Sequence, residues 1–215
     1  MVEIKLRHKT VDLPYTIRLH GVTEEMFDEL VDEDTKAELL DGVMIVHSPA
    51  SPRHDDVAGF VRGLMRCYAR RKRLGRVLGP DTVVHLATCR KFAPDGLFIK
   101  QARVQRSLSA KQFEGAPDLV VEILSPSNRN DDLNDKRPAY RKAGVREIWL
   151  IDPDTQEAVI DRKRKRGYAT TQASEGRLIS TVLSGFWLDL AWVWAEELPD
   201  DLDCLQQILQ GPPST

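Results

Sequence analysis

The chain is short of nearly everything that would mark it as secreted, membrane-bound or broadly cationic. It has three cysteines in 215 residues, Cys67, Cys89 and Cys204. They are odd in number, widely spaced and without a Cys-x-x-Cys pair, which argues against a disulfide framework and a cysteine zinc site. Apolar runs such as Ile148-Trp149-Leu150-Ile151 stop after a handful of residues, so no segment is expected to span a bilayer. The start, Met1-Val2-Glu3-Ile4-Lys5, has no apolar leader core. A reduced, cytoplasmic location is the expectation. Excess charge is also missing: 31 Lys+Arg stand against 33 Asp+Glu, a net charge of −2. That excludes a wholly basic nucleic-acid coat, though not a local basic patch.

What is present suits one compact domain. The content is 41% hydrophobic and 30% charged, enough apolar surface for a core and too little net charge for disorder. The near-neutral sum conceals segregation. Residues 24–41 hold nine acids and one lysine, and 196–203 five acids, whereas 62–76 hold seven bases and 162–166 five.

Periodicity predicts the elements. Val11, Leu13, Tyr15, Ile17 and Leu19 alternate as an extended N-terminal segment within 1–22. Thr23 caps a short helix over about 24–33. Residues 38–46 form a hairpin turning at Asp41-Gly42. Val57, Phe60, Val61, Leu64 and Tyr68 place one apolar stripe on a helix over about 55–73. Strands are expected at 83–86, 96–99, 118–124 and 146–151, with a helix over about 135–143 that ends at Gly144. Shorter strands near 157–162, 167–172 and 178–183 suggest a meander. Trp187, Trp192 and Trp194 suggest a packed cap, with an acidic tail over 196–215. The fold class is α+β: a central mixed β-sheet flanked by helices, with an additional β-meander and the main domain over 23–195.

One residue breaks the pattern. Glu122 interrupts Leu119-Val120-Val121-Glu122-Ile123-Leu124, a run that wants burial on both faces. A buried carboxylate without a partner costs several kcal/mol, so Glu122 needs a cation or a route to solvent. Pro94-Asp95 directly precedes the strand at 96–99. If that strand lies beside 118–124, Asp95 and Glu122 converge, and a divalent cation offsets their repulsion. Oxygen-only ligation favours Mg²⁺ over zinc. Asp118 opens the strand of Glu122 and lies roughly 13 Å from it, too far to share one ion. Pro138 belongs in the first turn of a helix, which puts Lys136 near a helix N-terminus, where it would suit a phosphate or an attacking water.

The residues then resemble a known family. Glu38-Leu39-Leu40-Asp41-Gly42, Ser48-Pro49, His54, Pro94-Asp95, the block Ala116 to Pro126, Lys136, Tyr140 and the block Gly144 to Pro153 follow the order of the Uma-type family of bacterial restriction endonucleases. That family is often described as a domain of unknown function and belongs to the PD-(D/E)XK nuclease superfamily. The resemblance runs over about 23–195. It implies a restriction-endonuclease-like core and a catalytic set of Glu38, Asp95, Glu122 and Lys136. It also implies a Mg²⁺ site (Mn²⁺ as a substitute) made by Asp95, Glu122 and the carbonyl of Ile123, with His54 as an accessory group. The superfamily's usual lysine position is Leu124 here, so Lys136 must take over its role or that role is lost. Asp161-Arg162-Lys163 is rejected as a rival acid-x-lysine motif because it reads as a turn.

The expected reaction is hydrolysis of DNA phosphodiester bonds by metal-activated water, in a homodimer. Two tracts would meet the phosphate backbone: Arg62, Arg66, Arg70 and Arg73 on one helix face, and Lys163 and Lys165 in a hairpin turn. A non-catalytic interaction module that keeps the fold, or another metal-dependent phosphoesterase, stays open at this level.

Overall fold

The structure, a computed structural model, describes residues 15–32, 35–109, 112–126 and 128–211. In chain order it forms β1 (Thr16–His20), α1 (Glu24–Leu30), β2 (Ala37–Leu40), β3 (Val43–His47), α2 (Pro52–Arg71), β4 (Gly75–Leu78), β5 (Val84–Ala87), β6 (Arg90–Phe92) and β7 (Gly96–Lys100). Next come α3 (Gln101–Ser107), β8 (Phe113–Glu114), β9 (Leu119–Ile123), α4 (Arg129–Asp131), a π-helical turn (Asp132–Lys136) and α5 (Arg137–Ala143). The chain continues through β10 (Glu147–Asp152), β11 (Glu157–Lys163), β12 (Tyr168–Ala173), β13 (Arg177–Ile179), β14 (Trp187–Asp189), α6 (Leu190–Trp194) and α7 (Asp201–Gln210).

The mixed α+β class holds, with two six-stranded sheets where the sequence pattern suggests one. The first has the order β1-β3-β2-β6-β5-β8 and the second β12-β11-β10-β9-β7-β4. The chain passes from β6 to β7 through Ala93-Pro94-Asp95, so this tripeptide sits at the seam between the sheets. In the second sheet β9 lies parallel to β10 and antiparallel to β7.

Strand β9 is buried throughout, and period-two alternation divides its load between two cores. Leu119, Val121 and Ile123 pack under the stripe of α2, Val57, Val61, Leu64 and Tyr68 among it. Val120 and Leu124 pack with Ala139 and Tyr140 of α5 and Phe92 of β6. Glu122 shares the second face by alternation, which turns its carboxylate toward the seam.

Helix α2 starts three residues earlier than the stripe implies. Ser51 is its N-cap, Pro52 occupies the first turn, and the Ser51 hydroxyl accepts from the His54 N–H at 3.2 Å. Helix α1 ends at Leu30, short of the expected 33, a position outside the described residues. Asp161-Arg162-Lys163 is not a turn. It lies in β11, where Asp161 is clasped by Arg137 and Arg141. The expected strand over 178–183 does not extend the meander. Only Arg177–Ile179 is extended, and it pairs with β14. Ser180, Thr181 and Val182 instead wrap the buried Glu147 carboxylate, with Thr181 N–H donating at 2.8 Å. The acidic tail contains α7, capped by Asp200, whose Cys204 and Ile208 join the core under α2. Val11, Leu13 and residues 212–215 lie outside the described residues.

Strand β4 imposes one sequence requirement that its pattern hides. Gly75 has φ +155°, and a Cβ there would stand 1.9 Å from the Ile99 carbonyl oxygen. Gly75→Ala is expected to destabilise the fold by about 3 kcal/mol, because backbone cannot yield as a flexible side chain can. A urea titration checks this, and an unchanged midpoint would contradict the packing described.

Candidate active site

Four elements bring charged groups to the seam. Strand β2 supplies Glu38, the β6–β7 link supplies Asp95, β9 supplies Glu122, and the π-helical turn supplies Asp132 and Lys136. The β7–β9 register sets Gly96 opposite Val121, which lays Asp95 beside Glu122 and Ile123. Asp95 Oδ2 accepts from the Ile123 N–H at 2.8 Å and lies 3.2 Å from His54 Nε2 at the first turn of α2. The Asp95 N–H points at Glu122 Oε2 at 3.4 Å. The sequence-derived pairing of these two acids is therefore present.

Lys136 reaches three carboxylates. Its ammonium donates to Glu38 Oε1 at 3.1 Å and Glu122 Oε1 at 3.3 Å. It also faces Asp132 Oδ1 at 2.7 Å, one turn away. This last contact is an ion pair only, since neither Asp132 oxygen makes a hydrogen bond among the described residues. The Tyr140 hydroxyl donates to Glu122 Oε1 at 2.6 Å, and His47 Nε2 meets Glu38 Oε2 at 3.1 Å. The Ala93 N–H completes Glu38 at 3.0 Å.

One expectation about Lys136 is corrected. It does not stand at an open helix N-terminus, because the helical run begins at Arg129. Pro138 has no N–H to donate, and just before it the ladder loosens. The Arg137 N–H reaches back five residues to the Asp132 carbonyl. That bulge turns Asp132 and Lys136 inward together, and Lys136 is only 6% exposed.

The acids titrate apart. Burial alone would push the Glu38 carboxyl up, but Lys136, His47 and the Ala93 N–H outweigh it and hold it at about 2. For Glu122 burial dominates, reinforced by Asp95 and Glu38 against Lys136 and Tyr140, and the carboxyl rises to about 7. Asp132 rises to about 8, chiefly through burial. Burial pushes the Asp95 carboxyl up, but His54, Lys36 and the Ile123 N–H bring it below its ordinary value. Burial pushes the His54 imidazole down, yet Asp95 leaves it raised overall, so its charged form is favoured. Lys136 is held well above its ordinary value despite burial, by Asp132, Glu122 and Glu38.

Lys36, Glu38, His54, Asp95, Glu122 and Lys136, but not Asp132, line a cavity of about 40 Å³, room for an ion or a few waters. Its donors suit a hard cation. Asp95 Oδ1 makes no hydrogen bond among the described residues, and Glu122 Oε2 accepts only the long Asp95 contact. The Ile123 carbonyl accepts from Asn128 Nδ2 at 3.2 Å, and Ile123 is not among the residues that line the cavity. No group of three His, Cys, Asp or Glu side chains among the described residues forms a ready-made metal cage. Two carboxylates with water and backbone oxygens making up the rest is the pattern of Mg²⁺ rather than of zinc.

The basic tracts are not gathered at this cavity. The Arg62 guanidinium donates to the Asp95 carbonyl at 3.0 Å, fastening the seam from behind. Arg66, Arg70 and Arg73 are exposed and recede along α2 and beyond its end. Lys163 and Lys165 lie at the other end of the second sheet. Val159, opposite Leu150 and hence level with Glu122, is four residues, roughly 13 Å, from Lys163. Asp118 is occupied elsewhere, by Arg103 at 3.1 Å and the Lys100 N–H.

Sequence reasoning overlooked Lys36, His47 and Asp132, and gave Tyr140 no role. Lys36 sits two residues before Glu38, the same-face spacing of a strand, and that signal was available. Asp132 precedes Lys136 by four residues, the same-face spacing of a helix, and that signal was available too.

Comparison with known proteins adds an independent line. The family described as "Uma2: Putative restriction endonuclease" matches residues 24–191. No curated protein matches the chain. A crystal structure of a "putative nuclease belonging to DUF820" from Anabaena variabilis superimposes with a TM-score of 0.68 at 18% identity, covering 80% of this chain and 97% of that one. At that identity the likeness speaks for the fold, which is nuclease-like. The family match spans most of the chain and contains every acid of the cavity and both of its lysines, and on that ground the chain belongs to the Uma2 family.

Proposed function

We propose that the protein is a Mg²⁺-dependent endodeoxyribonuclease that hydrolyses phosphodiester bonds with an activated water. The observation that carries this reading is the meeting of Asp95 and Glu122, from neighbouring strands, beside His54 and Lys136 in one small polar cavity. Asp95 and Glu122 would hold the ion. The ion would supply a low-pKa water and offset charge on the phosphoryl oxygens. Glu122 Oε2, the less engaged of that residue's oxygens, would orient the water. The charged His54 would donate to a phosphate oxygen. Glu38, held ionised, keeps Lys136 protonated and in place. Arg66, Arg70 and Arg73 would meet the backbone away from the scissile bond. Arg70, sixteen residues along α2 from His54, lies about 24 Å from it, roughly seven base pairs of duplex. A homodimer would present two such sites to the two strands.

The test is nicking of supercoiled plasmid by the full chain. Open-circular product is expected with Mg²⁺ or Mn²⁺ and none with chelator. Intact plasmid and single strands under both metals would refute the reading. Turnover of a chromogenic phosphodiester without nicking would point to a small-phosphoester hydrolase instead.

A further inference from the structure

Lys136 is enclosed by carboxylates that keep a substrate from its protons. An ammonium carries three N–H donors. Two of these go to Glu38 and Glu122, and Asp132 crowds the nitrogen at 2.7 Å. A phosphodiester that entered the cavity would have to break one of these contacts to reach it. Its charge would also face Glu38, Asp95 and Glu122, which the ion and the charged His54 offset in part, so its approach calls for a further cation at the entrance.

Lys36 answers that requirement. It is exposed, lines the same cavity as Asp95, Glu122 and His54, and forms no ion pair among the described residues. It lies two residues before Glu38, just ahead of β2, and its carbonyl accepts from the His47 N–H at 3.3 Å, so the extended pairing reaches it and the pleat sends both side chains to one face. Its charge is near enough to lower Asp95 and oppose charging of His54. It also borders the adjoining groove, whose wall carries Asp28, Asp32, Asp55 and Asp81. Those acids turn a polyanion away from that side, which leaves Lys36 as the cation at the junction.

We propose that Lys36 holds a non-bridging oxygen of the scissile phosphate, while Lys136 is a positioning residue that keeps the carboxylates together. This rests on the nuclease reading, and the experiment separates the two. Anisotropy of a fluorescein-labelled 30-base-pair duplex is recorded in chelator, where no cleavage is expected, across about 50–200 mM salt. Lys36→Ala should weaken binding by about fivefold or more and flatten the log–log salt slope by about one, while Lys36→Arg keeps the slope. With Mg²⁺, Lys36→Ala should lower kcat/KM for nicking by about tenfold or more, with Lys36→Arg restoring most of it. Unchanged affinity and slope in Lys36→Ala overturns the proposal, even if the wild type nicks DNA. So does a wild type that binds no DNA, or a Lys36→Arg variant as impaired as Lys36→Ala. Lys36-dependent binding without any nicking sustains Lys36 as a contact to a backbone phosphate and removes the nuclease reading, and with it the scissile character of that phosphate.

Discussion

Lys136→Met is expected to destabilise the protein by about 3–5 kcal/mol at neutral pH, the usual cost of stripping one partner from a buried ionic cluster. Methionine fills similar space, so the loss is electrostatic rather than a cavity effect. Glu38, Glu122 and Asp132 would remain buried, facing one another without a cation. The deficit should be larger at pH 8 than at pH 5, because protonation is the acids' remaining way to shed charge. The wild type carries a milder form of this dependence. Glu122 and Asp132 titrate at about 7 and 8 in the fold, above ordinary carboxylates, so the native state holds protons that the unfolded chain has released. Metal-free stability should therefore fall as pH rises from about 5 to 8. Glu38 acts in the opposite sense: its folded value of about 2 gives stability that is lost as pH falls below about 4. Urea midpoints of both proteins at several pH values check this. A Lys136→Met midpoint equal to the wild type's would mean that the cluster does not need its lysine.

Glu122→Gln is expected to reduce Mg²⁺-dependent nicking by about a thousandfold or more, equivalent to about 4 kcal/mol of lost transition-state stabilisation. An amide of the same shape can still accept the Tyr140 and Lys136 hydrogen bonds through its oxygen, but it is a poor ligand for a hard cation. Stability should hold or rise at pH 8, since the substitution removes a carboxylate that burial already disfavours. The pairing of the two readouts matters. Lost activity with intact folding is the signature of a ligand, whereas loss of both would make Glu122 a structural partner of Lys136. Nicking retained within tenfold would show that the reaction does not pass through this carboxylate.

How much of the site was legible in the sequence follows from what each residue depends on. Glu122 stood out because a charge inside a buried β run has an energetic meaning that needs no coordinates. Asp95 was inferable because a Pro-Asp step immediately before a strand fixes which end of the strand the acid occupies. Lys136 reaches the cavity by a route that Pro138 does not reveal: the helical run begins at Arg129, and a π-helical turn over Asp132–Lys136 precedes the proline. Patterns of three and four cannot register an inserted residue. The exposed arginines of α2 were identified as a charged face, yet whether Arg62 meets solvent or the Asp95 carbonyl depends on which strand passes beneath that helix.

The α+β class, the amphipathic α2, the buried β9 and a carboxylate there that needs compensation are all readable along the chain, because local periodicity and the cost of burying charge act over a few residues. That β2 and β9, separated by some eighty residues and lying in different sheets, bring Glu38 and Glu122 to one ammonium is a matter of the folded arrangement. The same arrangement puts Lys36 at the cavity while Lys163 and Lys165 lie at the far end of the sheet. Strand order and register set those distances, and no local pattern encodes which strands become neighbours.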